Sequence, residues 1–182
     1  NENLFLKRSS YPINFPKKVL DVASSSLENL PLNFNNERID LTHLKVYTID
    51  DESTEEIDDG LSVEVLENNI IKLWIHIADP TYLISPGDEL DLEARKRSTT
   101  LYLPTGTISM FPTELATGPM SLRQGQLCPS LSFGVILDEN GAVLDYSINT
   151  SFIKPTYRLT YNDVNEILQL GITAEPELAI LA

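Results

Sequence analysis

The fold is inferred from one stretch, Thr48-Ile49-Asp50-Asp51-Glu52-Ser53-Thr54-Glu55-Glu56-Ile57-Asp58-Asp59-Gly60. It lies between two strand-like segments. Seven of the ten residues from 50 to 59, which we call the acidic loop, are Asp or Glu. Residues 44–49 and 61–66 on either side have the apolar content and alternation of strands, so the loop is expected to be anchored at both ends. Each close pair of like charges then costs on the order of 1–4 kcal/mol. A hard divalent cation with oxygen ligands would remove that cost.

Composition bounds the class of protein. The 182 residues are 42% hydrophobic, which is enough for one domain with a real core. The chain has a single cysteine, Cys128, and no apolar run near the roughly 20 residues that span a bilayer. We therefore expect a soluble intracellular protein without membrane contact, located in the cytoplasm or alternatively in an organelle. Because it starts without methionine, the chain is also expected to be a piece of a longer protein.

Net charge gives only a weak argument about partners. The formal charge of −14 disfavours a nucleic-acid-binding surface over the whole molecule, since phosphate contacts need Lys and Arg. A local acidic cluster that holds divalent ions escapes this argument.

The order of elements predicts an α+β fold with a mixed, largely antiparallel sheet and packed helices. Residues 1–40 are a proline-punctuated lead-in with at most a short helix at 17–27. Hairpins are expected between 61–66 and 70–78 and between 130–137 and 142–153, the latter around an Asn-Gly turn. Helices are expected at 88–99 and from 159 to 170.

Three interpretations of the acidic loop compete. A solvated loop is the plainest, but Ile57 in its middle indicates a buried anchor. A haloacid-dehalogenase-type phosphatase would use Asp50 and a second aspartate two residues later, where this chain has Glu52 and antiparallel hairpins follow. A metal-dependent phosphodiesterase would use several carboxylates around Mg²⁺. An EF-hand lacks its required glycine, and zinc is disfavoured because His43 and His76 are the only histidines.

The motif and the segments after it resemble one family. Thr48-Ile49-Asp50 followed by residues 53–62 looks like the signature of the ribonuclease II and ribonuclease R family, the RNB catalytic domain. The family's order and spacing continue in His76-Ile77-Ala78-Asp79-Pro80, residues 90–98, Tyr102-Leu103-Pro104, residues 108–112 and residues 115–122. The resemblance runs from about residue 41 to 168 and identifies residues 41–182 as the N-terminal part of that domain.

The resemblance implies processive 3′ to 5′ hydrolysis of single-stranded RNA to nucleoside 5′-monophosphates with Mg²⁺, or alternatively Mn²⁺. It places the catalytic and metal-binding acids on Asp50, Glu56, Asp58 and Asp59, with Asp59 our first choice for a metal ligand. Glu56 departs from the family's usual aspartate, so its carboxylate reaches one methylene further. Asp51 is assigned no role.

Two tyrosines match family positions that contact RNA. Tyr102 would stack on bases near the active site, and Tyr161 would lie along the RNA, since stacking tolerates any base sequence. Arg95 and Arg97 could meet phosphates, although a helix C-terminus explains them equally well. His76 is expected to be a satisfied structural side chain of the sheet.

The family's catalytic domain is about twice as long as the matched region. Its second half supplies an arginine near the scissile phosphate, and cold-shock and S1 domains that resemble OB-folds bind RNA. Neither is found in this sequence. A second interpretation is therefore that this chain is a non-catalytic RNA-binding fragment of the same fold. The expected partner is single-stranded RNA and the expected state is a monomer.

Overall fold

The structure is a computed structural model that describes residues 11–30, 37–104, 106–170 and 176–181. The chain divides into two compact units. Unit 1 comprises residues 1–31 and 80–119, and unit 2 comprises residues 32–79 and 120–182. No described helix is long and apolar enough to cross a membrane.

Unit 1 is mainly helical. Its elements are α1 (Lys17–Glu28), a 3-10 turn (Pro80–Tyr82), α2 (Glu89–Arg97), the strands β5 (Leu101–Leu103) and β6 (Gly106–Ile108), which form an antiparallel pair, and α3 (Thr113–Ala116). Helix α1 packs against α2 and buries Val19 and Ala23. The predicted helices at 17–27 and 88–99 are therefore confirmed to within two residues at each end.

Helix α2 is fixed at both ends by side chains. Asp88 caps its N-terminus by accepting from the Asp91 N–H at 2.7 Å. At the other end Arg97 is buried, donates to Glu93 at 2.9 Å and stacks its guanidinium on the Phe15 ring. Arg97 is therefore a structural residue. Its neighbour Arg95 pairs with Asp91 on the helix surface.

Unit 2 is built around a seven-stranded sheet. Its strands are β1 (Ile39–Asp40), β2 (Val46–Asp50), β3 (Asp59–Val65), β4 (Ile71–Ala78), β7 (Cys128–Leu137), β8 (Val143–Ile153) and β9 (Pro155–Thr160), followed by α4 (Tyr161–Leu170) and α5 (Pro176–Leu181). The order of the strands in the sheet is β1-β8-β7-β4-β3-β2-β9. The two edge strands β1 and β9 pair parallel, and the other neighbours pair antiparallel. The predicted α+β class with a mixed, largely antiparallel sheet is confirmed.

Both predicted hairpins are present. The turn between β3 and β4 has positive φ at Asn68 and Asn69, a conformation that asparagine tolerates better than most residues. The turn between β7 and β8 has Gly141 at a φ of 80° and is closed by the Asp138 N–H to Ala142 carbonyl bond. The antiparallel centre of the sheet therefore follows from local turn chemistry.

Two features of unit 2 differ from the prediction. The sequence does not predict strand β9, whose last two residues fall within the predicted helix at 159–170, whereas the observed helix begins at Tyr161. Strand β1 falls within the predicted lead-in segment. Both strands pair with partners about 110 residues away in sequence, so no local turn signal marks them.

Candidate active site

The sheet brings the two ends of the acidic loop to the same edge region. Strand β2 ends at Asp50, and the neighbouring antiparallel strand β3 begins at Asp59. On the other side of β2, the parallel register with β9 places Asp50 opposite Thr160. The loop therefore leaves and re-enters the sheet beside the start of α4.

The second half of the loop is held by the core of unit 2. Ile57 is only 3% exposed, and its N–H donates to the Ser121 hydroxyl at 2.9 Å. The Ile57 carbonyl accepts from the Leu122 N–H, and the Asp58 carbonyl accepts from the Ala78 N–H, both at 2.8 Å. The predicted buried anchor is confirmed, and it disfavours a freely solvated loop.

The first half of the loop is held by a tight turn and by an arginine from β9. The Thr54 N–H donates to the Asp51 carbonyl, and the Asp51 carboxylate accepts from the Ser53 N–H and hydroxyl. Arg158 donates from its guanidinium to the Thr54 carbonyl. Asp51 is thus directed to its own turn, and its hydrogen bonds with Ser53 lower its pKa.

The four predicted acids act on one another electrostatically. Partial burial raises the pKa of Asp50, the Asp59 carboxylate raises it further, and the Arg158 guanidinium opposes both effects. Partial burial also raises the pKa of Asp58, to which the charges of Glu56, Asp59 and Asp50 contribute in that order. These electrostatic effects link the four residues to one another, and we call Asp50, Glu56, Asp58 and Asp59 the acidic cluster.

The acidic cluster suits a hard divalent cation in its donor atoms and its charge. Within the described part of the chain, the buried Oδ2 atom of Asp50 has no hydrogen-bond partner, which is costly for a carboxylate oxygen. In the same part, however, no three His, Cys, Asp or Glu side chains are close enough together to hold a metal ion as they stand. The residues fit such an ion chemically, and their side chains would have to turn inward to ligate it.

A groove beside the loop contains one of the predicted RNA-binding tyrosines. It has a volume of about 380 Å³ and is lined by Asp51, Glu52, Ser53, Thr160, Tyr161 and Asn162. Tyr161 begins α4 and is 58% exposed. Tyr102 lies on β5 in unit 1 and is 67% exposed. Both rings therefore present the open surface that base stacking requires.

His76 has the structural role that the sequence predicts. It is fully buried, and its two ring nitrogens lie 2.7 Å from the hydroxyls of Ser62 and Ser132 on the neighbouring strands. Burial lowers the pKa of His76 to about 4, so the ring is neutral at pH 7.

Sequence reasoning did not assign roles to Ser121 and Arg158. Both hold the loop from elements more than 60 residues away in sequence, so their contacts cannot be read from spacing. One feature of the sequence could have pointed to Arg158: it is a cation three residues before the predicted RNA-binding residue Tyr161, in a chain with few cations.

The sequence matches a known protein family. The RNB domain family matches residues 38–180 of this chain. An uncharacterized ribonuclease of Synechocystis sp. is 69% identical over 182 residues, which are 100% of this chain and 27% of that protein. The chloroplastic/mitochondrial ribonuclease II of Arabidopsis thaliana is 43% identical over 99% of this chain and 22% of its own length. The chain thus spans about a quarter of these relatives.

Solved structures share the fold. RNase R of Mycoplasma genitalium, in complex with double-stranded RNA, superimposes with a TM-score of 0.79 at 22% identity, covering 94% of this chain and 30% of that one. Yeast Ssd1, a pseudonuclease, has a TM-score of 0.71 at 24% identity and covers 83% of this chain and 19% of its own. At these identities the likeness concerns the fold alone.

Proposed function

Because this chain belongs to the RNB domain family, we propose that it carries the acidic part of an exoribonuclease active site. The reaction is hydrolysis of single-stranded RNA from its 3′ end, proceeding processively to nucleoside 5′-monophosphates. The observation that carries the proposal is the placement of the acids: β2 ends at Asp50, the neighbouring β3 begins at Asp59, and the buried Ile57 anchors the loop between Glu56 and Asp58. Residues 41–182 form the N-terminal part of the catalytic domain, and residues 1–40 are its lead-in.

The acidic cluster would hold Mg²⁺, or Mn²⁺ in its place, through Asp50, Glu56, Asp58 and Asp59. The ion, when bound, supplies a water of lowered pKa and offsets charge on the scissile phosphate. The protein's own contribution is to hold these carboxylates together against their repulsion. The anchor at Ile57 and the strand ends at Asp50 and Asp59 support this role.

The tyrosines would position the RNA. Tyr161 borders the groove next to the acidic loop, where a base could stack on its exposed face. Tyr102 would stack on a second base. Each such contact is worth about 1–3 kcal/mol and tolerates any base, as a processive enzyme requires. The protein is expected to act as a monomer, in the cytoplasm or in an organelle.

The second candidate is a non-catalytic RNA-binding fragment. Two observations favour it: one structural neighbour is described as a pseudonuclease, and no three acids of the described residues converge on a metal position. The candidates differ in one result, which is whether bound RNA becomes shorter.

The test is incubation of this chain with a 5′-labelled single-stranded RNA and Mg²⁺, followed by a denaturing gel. We expect a ladder that shortens from the 3′ end and disappears with EDTA or in Asp59→Asn. Glu55→Gln removes an exposed acid from the same loop, outside the groove, and should leave the ladder intact. RNA that is retained but never shortened would support the non-catalytic candidate. Cleavage at the wild-type rate by Asp59→Asn would overturn the role of Asp59.

A further inference from the structure

The acidic loop is fastened to the sheet at a point that no carboxylate occupies. Arg158 reaches from β9 to the Thr54 carbonyl, in the middle of the segment that separates Asp50 from Glu56. This contact is with the main chain, so it uses none of the four acids. An arginine is suited to the task because it stays charged and presents several donors in a fixed plane.

We propose that Arg158 is a positioning residue for the acidic cluster. By holding the Thr54 carbonyl, its guanidinium fixes the path of the loop and thereby the separation of Asp50 from the other three acids. This inference rests on the proposed function, because it assumes that the acidic cluster receives a divalent cation. Arg158 would act through its hydrogen bond to the loop backbone.

The register of the sheet explains why this position is effective. Arg158 lies on β9 opposite Thr48, and β9 runs parallel to β2, so both strands point toward the loop. The same strand ends two residues later at Thr160, which lines the groove with Tyr161. The loop, the end of β2 and the groove are therefore joined through β9.

A purely electrostatic role of Arg158 predicts the opposite change in cation affinity, so the direction of the change tests the proposal. Arg158 is a cation that acts on Asp50, so a variant without it leaves the cluster more negative. If charge were its only contribution, such a variant would bind a divalent cation more tightly. If Arg158 positions the loop, the variant binds the cation more weakly in spite of the gain in negative charge.

The experiment titrates Mn²⁺ into the whole chain without RNA and follows the paramagnetic resonance signal of the free ion. We expect Arg158→Met to bind Mn²⁺ about fivefold or more weakly than wild type, since a hydrogen bond from a charged donor is lost. Arg158→Lys keeps the charge and a donor, so it should retain most of the affinity. Lys154→Met removes a cation just before the other end of β9 and should bind at least as tightly as wild type.

Hydrogen exchange supplies a second measurement that does not depend on the metal. In Arg158→Met the amides of residues 51–56 should exchange faster than in wild type, while those of β3 and β4 should not change. Faster exchange confined to the loop shows that the variant is folded and that the fastening is lost.

Two failures can be told apart. Wild-type chain that does not bind Mn²⁺ would contradict the proposed metal site itself. Wild-type chain that binds Mn²⁺ while Arg158→Met binds it equally or more tightly would overturn the positioning role alone, and unchanged exchange of residues 51–56 would do the same.

Discussion

Acidic residues of the same loop have different environments, and this difference decides which of them can serve a cation. The Asp51 carboxylate accepts two hydrogen bonds from Ser53, which lower its pKa. Desolvation raises the pKa of Asp58, and the charges of three neighbouring carboxylates raise it further. Neutralising the two residues should therefore have opposite effects on stability.

Asp58→Asn is predicted to stabilise the fold at pH 7 in EDTA. A carboxyl whose folded pKa is raised disfavours folding once it is ionised, so its replacement removes a cost. The expected result is a higher Tm than that of wild type in EDTA. Addition of Mg²⁺ should raise the Tm of wild type more than that of the variant. Asp51→Asn is the control and should not gain stability. A lower Tm for Asp58→Asn than for wild type in EDTA would show that the ionised Asp58 carboxylate does not destabilise the fold.

His76 predicts a pH dependence of stability. Its folded pKa of about 4 lies below the ordinary histidine value of 6.5, so between these values the unfolded chain binds a proton that the folded chain does not. The free energy of unfolding should therefore rise as pH increases from 4 to 6.5, by up to about 3 kcal/mol. His76→Gln should flatten this rise in urea unfolding measured across the window.

The imidazole signals of wild type provide an independent check on His76. A ring that titrates near pH 6.5 in the folded protein would contradict the buried neutral histidine, whatever the stability of the variant.

At the level of single residues, the sequence predicted what depends on type and count. The acids, the anchor Ile57 and the structural His76 belong to this class. Arg158 and Ser121 could not be predicted because their contacts depend on how distant strands meet. The opposite electrostatic states of Asp51 and Asp58 also appear only once the loop is folded.

Secondary-structure elements were predictable where their partners are neighbours in sequence. The β3–β4 and β7–β8 hairpins follow from turns at Asn68 and Gly141, and helix α2 follows from its capping aspartate and charge order. Strands β1 and β9 were not predicted because their pairing is parallel and distant. Since β9 carries Arg158 to the loop, the part of the site that depends on it was missed as well.

The centre of the sheet contains a position where only a glycine fits. Gly134 on β7 pairs with Trp74 on β4, and a Cβ at this position would lie 2.8 Å from the Trp74 ring. Trp74 belongs to the buried core of unit 2. Gly134→Ala should therefore destabilise the fold by about 1–3 kcal/mol through displacement of the ring.

Urea unfolding followed by the fluorescence of Trp74, the single tryptophan, measures this effect. Ser147→Ala is the matched control, since Ser147 lies on β8 opposite Gly134 and its hydroxyl accepts a hydrogen bond from Lys72. It should cost under about 1 kcal/mol. Equal stability of Gly134→Ala and wild type would show that Trp74 can move without loss.

For the molecule as a whole, charge limits how RNA can be bound. The chain has 13 Lys and Arg against 27 Asp and Glu, and two of its arginines, Arg38 and Arg97, are buried in ion pairs with Asp79 and Glu93. The remaining cations are outnumbered by acids, whose charge repels phosphates. Binding is therefore expected to depend on base stacking and divalent ions more than on counterion release.

This predicts a shallow dependence of RNA affinity on KCl. The slope of log K against log salt should lie between 0 and about −2 for a single-stranded RNA, measured by fluorescence anisotropy. Tyr161→Ala should weaken binding without changing the slope, because stacking carries no charge. A slope steeper than about −4 would reveal a dense basic surface and contradict this view.

We predict that Asp50, Glu56, Asp58 and Asp59 together bind one divalent cation. The most direct test is a crystal of this chain soaked in Mn²⁺, with an anomalous difference map collected near the manganese edge. We predict a peak at coordination distance, about 2.1 Å, from oxygens of at least two of these residues. A map in which Mn²⁺ lies elsewhere, with the four carboxylates apart and without a peak, would contradict the claim.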